Sequence, residues 1–313
     1  MQILLGSDTL TNIRFPNLGI ELNNVSTGID IFGYHVAFYG IVIGLGMLMG
    51  YLIAEWMAKR TGQSTELYLD FALIAIIVSV IFTRLGYVLF ALDEFVDNPL
   101  EIFNLRSGGL MIYGGIFGGI LSAVVFAKVK KYSFWLLVDT GCIGLITGQI
   151  IGRWGNFFNR EAFGKYSDGL FAMQLNIRDV SYDFAMSEVS LQQKFAGRQA
   201  AFDRIMVIRN NIITVAGAEY IQVHPTFLYE SLWNICILVL LIIYTKYKKF
   251  DGEVILLYLA GYGLGRLWIE GLRTDQLFLW GTSIPISQMI SLLLIVGSLG
   301  MIIIKRVKLA KSK

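Results

Sequence analysis

Gly152-Arg153-Trp154-Gly155-Asn156-Phe157-Phe158-Asn159-Arg160-Glu161-Ala162-Phe163-Gly164 closes an apolar run that begins near residue 134. A bilayer core needs roughly 20 apolar residues per helix, and the run approaches that length. The segment that ends it holds two arginines, two asparagines and a carboxylate between glycines. Such groups at the end of a membrane helix are costly unless they are paired or used in function. Working outward, six further runs reach span length, so seven are expected at about 34–57, 68–92, 109–129, 134–152, 226–244, 254–271 and 284–304. The fourth is interrupted by Asp139, Thr147 and Gln149.

Composition agrees. The chain has 313 residues, 55% hydrophobic and 16% charged, with net charge +3. A soluble domain is about a quarter charged. The expected fold class is an all-α polytopic membrane protein, with seven transmembrane helices and a small extracytoplasmic α+β head. No nucleic-acid partner is expected. The N-terminus lacks a basic region, an apolar stretch and a small-residue cleavage site in succession, so no removable signal peptide is expected. Cys142 and Cys236 lie inside apolar runs and read as small buried hydrophobes. Neither they nor the two distant histidines have metal-ligand spacing, and no metal or cofactor is expected.

The loops alternate in charge. Lys59-Arg60, Lys128 with Lys130 and Lys131, Lys246 with Lys248 and Lys249, and the tail from Lys305 fall on one side. The opposite loop after the second span, from Asp93 to Asn98, is acidic. The positive-inside rule makes the basic side cytoplasmic, with the N-terminus outside and the C-terminus inside. The expected divisions are an outer segment 1–33, helices over 34–152, a signature segment and head over 153–223, helices over 224–304 and a basic tail 305–313. Within the head, about 165–223 mixes charges with short apolar runs and reads as short helices and strands.

Several polar groups recur at one level. Tyr262, Arg266 and Glu270 are spaced i, i+4, i+8, and Arg273 follows three residues later. One helical face thus carries a phenol, two guanidiniums and a carboxylate. The plain alternative is a buried Arg–Glu pair that only packs helices. Two arginines against one glutamate leave surplus positive charge, which suits an anionic ligand such as a phosphate. His224-Pro225 opens the fifth span, with Tyr229 and Glu230 beyond it; His224 alone reads as a cap. The run from Ser107 to Gly119 is rich in paired glycines, which allow close helix approach, and includes Tyr113. Arg84 sits toward the outer end of the second span, where it snorkels or faces the bundle. Tyr39 opens the first span as an interfacial aromatic or a site residue. Packing devices have no reason to share one depth, so Arg153, Asn156, Glu161, His224, Glu230, Arg266, Glu270, Arg273, Arg84 and Tyr39 point to one cavity.

These motifs resemble the prolipoprotein diacylglyceryl transferase family. The resemblance runs from about Tyr39 to Ile304 and rests on Gly152 to Asn159 with Glu161 and Gly164, on His224-Pro225 with Leu228-Tyr229-Glu230, on Arg84-Leu85-Gly86-Tyr87, and on Tyr262 with Arg266 and Glu270. It implies a bacterial inner-membrane enzyme. Such an enzyme moves the diacylglyceryl group of phosphatidylglycerol to the lipobox cysteine of prolipoproteins, makes a thioether and releases glycerol phosphate. It implies a site open to the outer leaflet and no cofactor; nothing demands more than a monomer. Arg153, Arg266, Glu270, Tyr262, Asn156 and Tyr113 are then the catalytic candidates. Arg153, Asn156, Glu161, Tyr39, Arg84, His224, Glu230 and Arg273 are the candidates for holding phosphatidylglycerol. The arginines suit charge growing on a departing phosphate. A free thiol has a pKa of about 8.5, so activation by a base helps.

One departure stands out. Many family members have His-Gly-Gly-Leu where this chain has Tyr113-Gly114-Gly115-Ile116. A phenol with a reference pKa of about 10 is a poor general base. The base therefore lies elsewhere, or a phosphate oxygen or water takes the proton, or this residue positions. Region 165–223 matches the family poorly. A solute transporter is the main rival reading, but it predicts internal repeats and a midplane site, and neither is visible. A packing-only scaffold is the third.

Overall fold

The computed structural model describes residues 11–105, 108–180, 184, 186–196, 198–279, 282 and 284–312. Among them are seven long helices: α1 Phe38–Arg60, α2 Thr65–Phe90, α3 Ile112–Val129, α4 Phe134–Asn159, α7 Thr226–Tyr244, α8 Glu253–Glu270 and α9 Ile286–Lys311. Two short helices, α5 Glu188–Lys194 and α6 Gln199–Arg209, lie between α4 and α7.

Six of the long helices are long and apolar enough to cross a membrane: α1, α2, α3, α4, α7 and α9. The seventh expected span, α8, is 18 residues long and carries Glu253, Arg266 and Glu270. Three ionisable groups in so short a helix dilute its apolar character, and composition alone does not qualify it. Three further boundaries differ from expectation. Tyr34–Ala37 is a strand, not the start of the first span. It pairs with Gly28–Ile31 across a turn at Phe32-Gly33, both with positive φ, and only then does α1 begin. The two-residue turn suits the twist of a hairpin, and the glycine accepts its backbone without strain. Near the C-terminus, α9 runs on through Lys308 and Lys311, so most of the basic tail is helical. Finally, α4 continues to Asn159, which puts the first eight residues of the opening segment inside the helix.

The described residues also form seven strands: β1 Thr11–Phe15, β2 Ile20–Asn23, β3 Gly28–Ile31, β4 Tyr34–Ala37, β5 Met173–Asn176, β6 Ile213–Val215 and β7 Ala218–Val223. Five form an antiparallel sheet in the order β2-β1-β5-β7-β6, and β3-β4 is the separate hairpin. The N-terminal strands therefore share a sheet with strands from beyond α4: Ile13 pairs with Leu175. Ile13, Leu175, Ile221 and Val223 are fully buried, with Leu191 and Ile208 from the short helices. Phe157 of α4 and Phe227 of α7 join the same core, their rings 5.1 Å apart.

The chain divides into two compact units. The first comprises 1–47, 146–241 and 256–313; the second comprises 48–145 and 242–255. In the second, glycines bring α2 and α3 together. A Cβ on Gly114 would overlap the Phe82 carbonyl oxygen, and one on Gly118 would lie 2.9 Å from Phe82 Cβ. Such contact through small residues is how helices gain packing where lipid removes the hydrophobic drive. Here too Asp139 accepts the backbone N–H groups of Gly252 and Ile255, each at 2.9 Å. A carboxylate from α4 thus caps the start of α8, where free N–H groups and the helix dipole attract negative charge.

Candidate functional site

In the first unit the C-terminal ends of α4 and α8 and the N-terminal end of α7 bring their charged residues together. Glu230 is the hub. Its carboxylate lies 2.5 Å from Arg153, 2.9 Å from Arg266 and 3.4 Å from Arg273. Arg266 also contacts Glu270 at 2.6 Å, as an ion pair without hydrogen-bond alignment. Arg273 reaches Asp275 with two nitrogens, at 2.9 and 2.6 Å. Local geometry explains the grouping. Arg266 and Glu270 are one helical turn apart on α8, and Arg273 follows in the turn that leaves it.

The carboxylates lie deeper than the guanidiniums. The Glu230 and Glu270 side chains are 5% and 3% exposed, against 21% for Arg153 and 18% for Arg266. Buried acceptors hold the arginines, whose side chains stay the more exposed partners of each pair. The surplus positive charge expected from the α8 face alone is offset once Glu230 and Asp275 are counted. Three arginines then stand against three carboxylates. Ser287 at the start of α9 donates to Glu270 at 3.0 Å, and Gln276 donates to the Glu270 carbonyl. Asp275, Gln276 and Ser287 escaped the sequence reading. Asp275, two residues from Arg273, carried a weak signal; Ser287 carried none.

The opening segment splits in use. Arg153 joins the cluster, whereas Arg160 turns away, donating to the Val25 and Phe158 carbonyls and lying 3.5 Å from Asp179. Asn156 and Asn159 both donate to Glu161, at 3.0 and 3.3 Å. The chain folds back to allow this. Arg160 and Ala162 both have positive φ, and the Glu161 N–H donates to the Asn156 carbonyl at 3.1 Å. Non-glycine residues rarely adopt that backbone, and where they do the surroundings must hold it. Gly155 admits Tyr39, since a Cβ there would lie 2.7 Å from the ring.

His224 and Gly164 are stitched to the same region. Gly164 N–H donates to the His224 carbonyl at 2.9 Å, and Lys165 N–H to the Leu272 carbonyl at 2.8 Å. The His224 ring is half-buried, with Nδ1 3.2 Å from the Tyr229 hydroxyl. Burial, and then the charge of Lys165, hold its imidazole below the ordinary histidine range. Tyr262 stacks on Tyr258, with ring centroids 5.8 Å apart, and lines a small pocket with Glu230 and Arg266.

Arg84 and Tyr113 belong to the second unit. Arg84 is buried and donates to four backbone carbonyls: Glu101, Ile102, Gly108 and Gly109, at 2.5 to 3.0 Å. It ties down the loop that leads into α3. Tyr113 lies in the first turn of α3, half-exposed. Among the described residues no group of three or more His, Cys, Asp or Glu side chains is placed to hold a metal ion.

Apolar helices of span length, with a cluster of paired arginines and carboxylates at helix ends, define a polytopic integral membrane protein. The family description "Prolipoprotein diacylglyceryl transferase" matches residues 27–304. A phosphatidylglycerol–prolipoprotein diacylglyceryl transferase of Oceanobacillus iheyensis is 39% identical over 279 residues, covering 89% of this chain and 87% of the relative. Proteins of that name from Bacillus cereus and Halalkalibacterium halodurans are 36% and 34% identical, covering 87% and 85% of this chain and 89% and 81% of theirs. The chain belongs to the prolipoprotein diacylglyceryl transferase family.

Proposed function

We infer that this chain transfers the diacylglyceryl group of phosphatidylglycerol to the lipobox cysteine of a prolipoprotein. The bond between the diacylglyceryl carbon and the phosphate oxygen breaks, and a carbon–sulfur bond forms. The electron pair leaves with glycerol phosphate, and the thiol proton passes to an acceptor. The observation that carries this reading is the gathering of Arg153, Arg266 and Arg273 on one buried carboxylate, Glu230. Arg153 and Arg266 bind the phosphodiester and stabilise the charge that grows on it as it departs. Glu230 and Glu270 hold those arginines in place, and Arg273 supports them. Asn156 and Glu161 shape the adjoining wall with Tyr39, and His224 packs at its edge. Tyr262 lines the pocket. Arg84 acts through the loop before α3, the helix whose first turn carries Tyr113, and Tyr113 is a positioning group.

In the same reading α8 is the seventh span, its ionisable groups satisfied by the cluster and by capping. The N-terminus and the sheet lie outside, the basic loops inside, and the site opens to the outer leaflet, with one chain sufficient. The test uses purified protein, labelled phosphatidylglycerol and a lipobox peptide. Thioether product is expected with the cysteine peptide and none with its Cys→Ser form. Arg153→Ala and Arg266→Ala are each expected to cost about 100-fold or more in turnover while the protein still folds and inserts. Near wild-type rates for both would remove the phosphate assignment.

A further inference from the structure

Asn234 lies on α7 one turn beyond Glu230, so the two side chains share a helix face. It is 2% exposed. Its Nδ2 amide finds no acceptor among the described residues. The polar neighbours on the same helix are satisfied: Ser231 donates to the Ile150 carbonyl at 2.8 Å and Trp233 to the Gly261 carbonyl at 2.9 Å. Asn234 instead lines the small pocket it shares with Glu230, Tyr262 and Arg266. That pocket has room beside the amide for a group the size of a water molecule.

A buried donor without an acceptor destabilises the fold, so folding alone gives no reason to keep it. We propose that Asn234 donates a hydrogen bond to one oxygen of the lipid donor's phosphoglycerol headgroup, that single oxygen entering the pocket beside Arg266 and Tyr262 while the rest of the headgroup stays outside it. The chemistry fits the headgroup better than the thiol substrate. The Arg266 guanidinium and the Asn234 amide are both hydrogen-bond donors that complement a phosphate or hydroxyl oxygen, and sulfur is a weak acceptor. Asn234 is thus a substrate-binding residue for the transfer reaction inferred above, and the proposal rests on that reading.

The test compares wild type with Asn234→Leu, similar in shape and without the donor. Lipid kinetics are measured on phosphatidylglycerol and on phosphatidylpropanol, which keeps the phosphate and lacks both headgroup hydroxyls. Peptide kinetics and thermal unfolding in detergent are measured in parallel. The variant is expected to lose about tenfold or more in kcat/KM for phosphatidylglycerol, because a bound oxygen loses its partner. The peptide KM should stay within about twofold, and the unfolding midpoint should hold or rise, because the unsatisfied donor is gone. A hydroxyl partner makes wild type lose rate on phosphatidylpropanol without further loss in the variant; a phosphate partner makes the variant lose on both lipids. Unchanged lipid kinetics, as a resident water alone would give, overturn the proposal. So does a fall in stability matching the fall in activity. If the Leu variant does not fold, Asn234→Ala decides by the same separation. No thioether from wild type would instead remove the transferase reading, and this proposal with it.

Discussion

Glu230 is one residue on which three arginines converge, and its removal has consequences on both sides of the pair. In Glu230→Ala, Arg153 loses its ion-pair partner and Arg266 and Arg273 are left to share Glu270 and Asp275. Breaking a buried pair by deleting one partner costs about 3–5 kcal/mol, and a loss of that order is expected in detergent unfolding. A loss below about 1 kcal/mol would mean that water or lipid already screens the cluster. His224 offers a second handle. Its imidazole is held low by burial and then by Lys165. The native state therefore resists protonation, while the unfolded chain takes a proton near pH 6.5. Its contribution is complete above that pH and is lost as pH falls toward the depressed native value. Unfolding midpoints measured from about pH 7 to 5 should fall less steeply in His224→Asn than in wild type. Parallel slopes would show that the ring does not carry the effect.

Helices were largely legible in the sequence, because apolar runs of span length leave little else to form. Their ends were less so. The run near 134 stops being apolar at Gly152, yet α4 continues to Asn159 because Arg153 and Asn156 find partners there. Periodicity on α8 foretold that Tyr262, Arg266 and Glu270 share a face. Ser287 could not be foretold, since its role comes from how α8 and α9 are joined, and Asp275 left only the weak signal of lying two residues from Arg273. The glycines of α3 had a packing reading in the sequence, and Gly114 gives it a definite partner. Overpacking of a tight interface costs about 1–3 kcal/mol. Gly114→Ala is expected to lose that much stability, because its Cβ would overlap the Phe82 carbonyl oxygen of α2. Gly119→Ala, 3.4 Å from Ser79 Oγ, should be tolerated. Equal effects at both positions would argue for lost backbone freedom in place of a clash.

For the molecule as a whole, the least legible feature was the sheet. Residues 1–33 and 165–223 are separated by four long helices, and no local pattern says that Ile13 pairs with Leu175. Pairings so distant in sequence are set by tertiary structure. They also make the N-terminal strands structural. Removing residues 1–24 would take β1 and β2 from the sheet, leave one side of β5 unpaired and uncover a core to which Ile13 and Phe15 contribute. Faster limited proteolysis between Lys165 and Val223 is the expected outcome, and an unchanged pattern would show that β5 and β7 stand alone. The balance of three arginines and three carboxylates has a further consequence for turnover. A site of no net charge attracts a second negative charge far less than a bare arginine cluster would. The phosphodiester of the donor carries one charge, whereas a released phosphomonoester carries about −1.5 to −2 at neutral pH. If the phosphodiester sits on this cluster as proposed, the buried carboxylates discriminate against the more highly charged product and favour its departure over its retention.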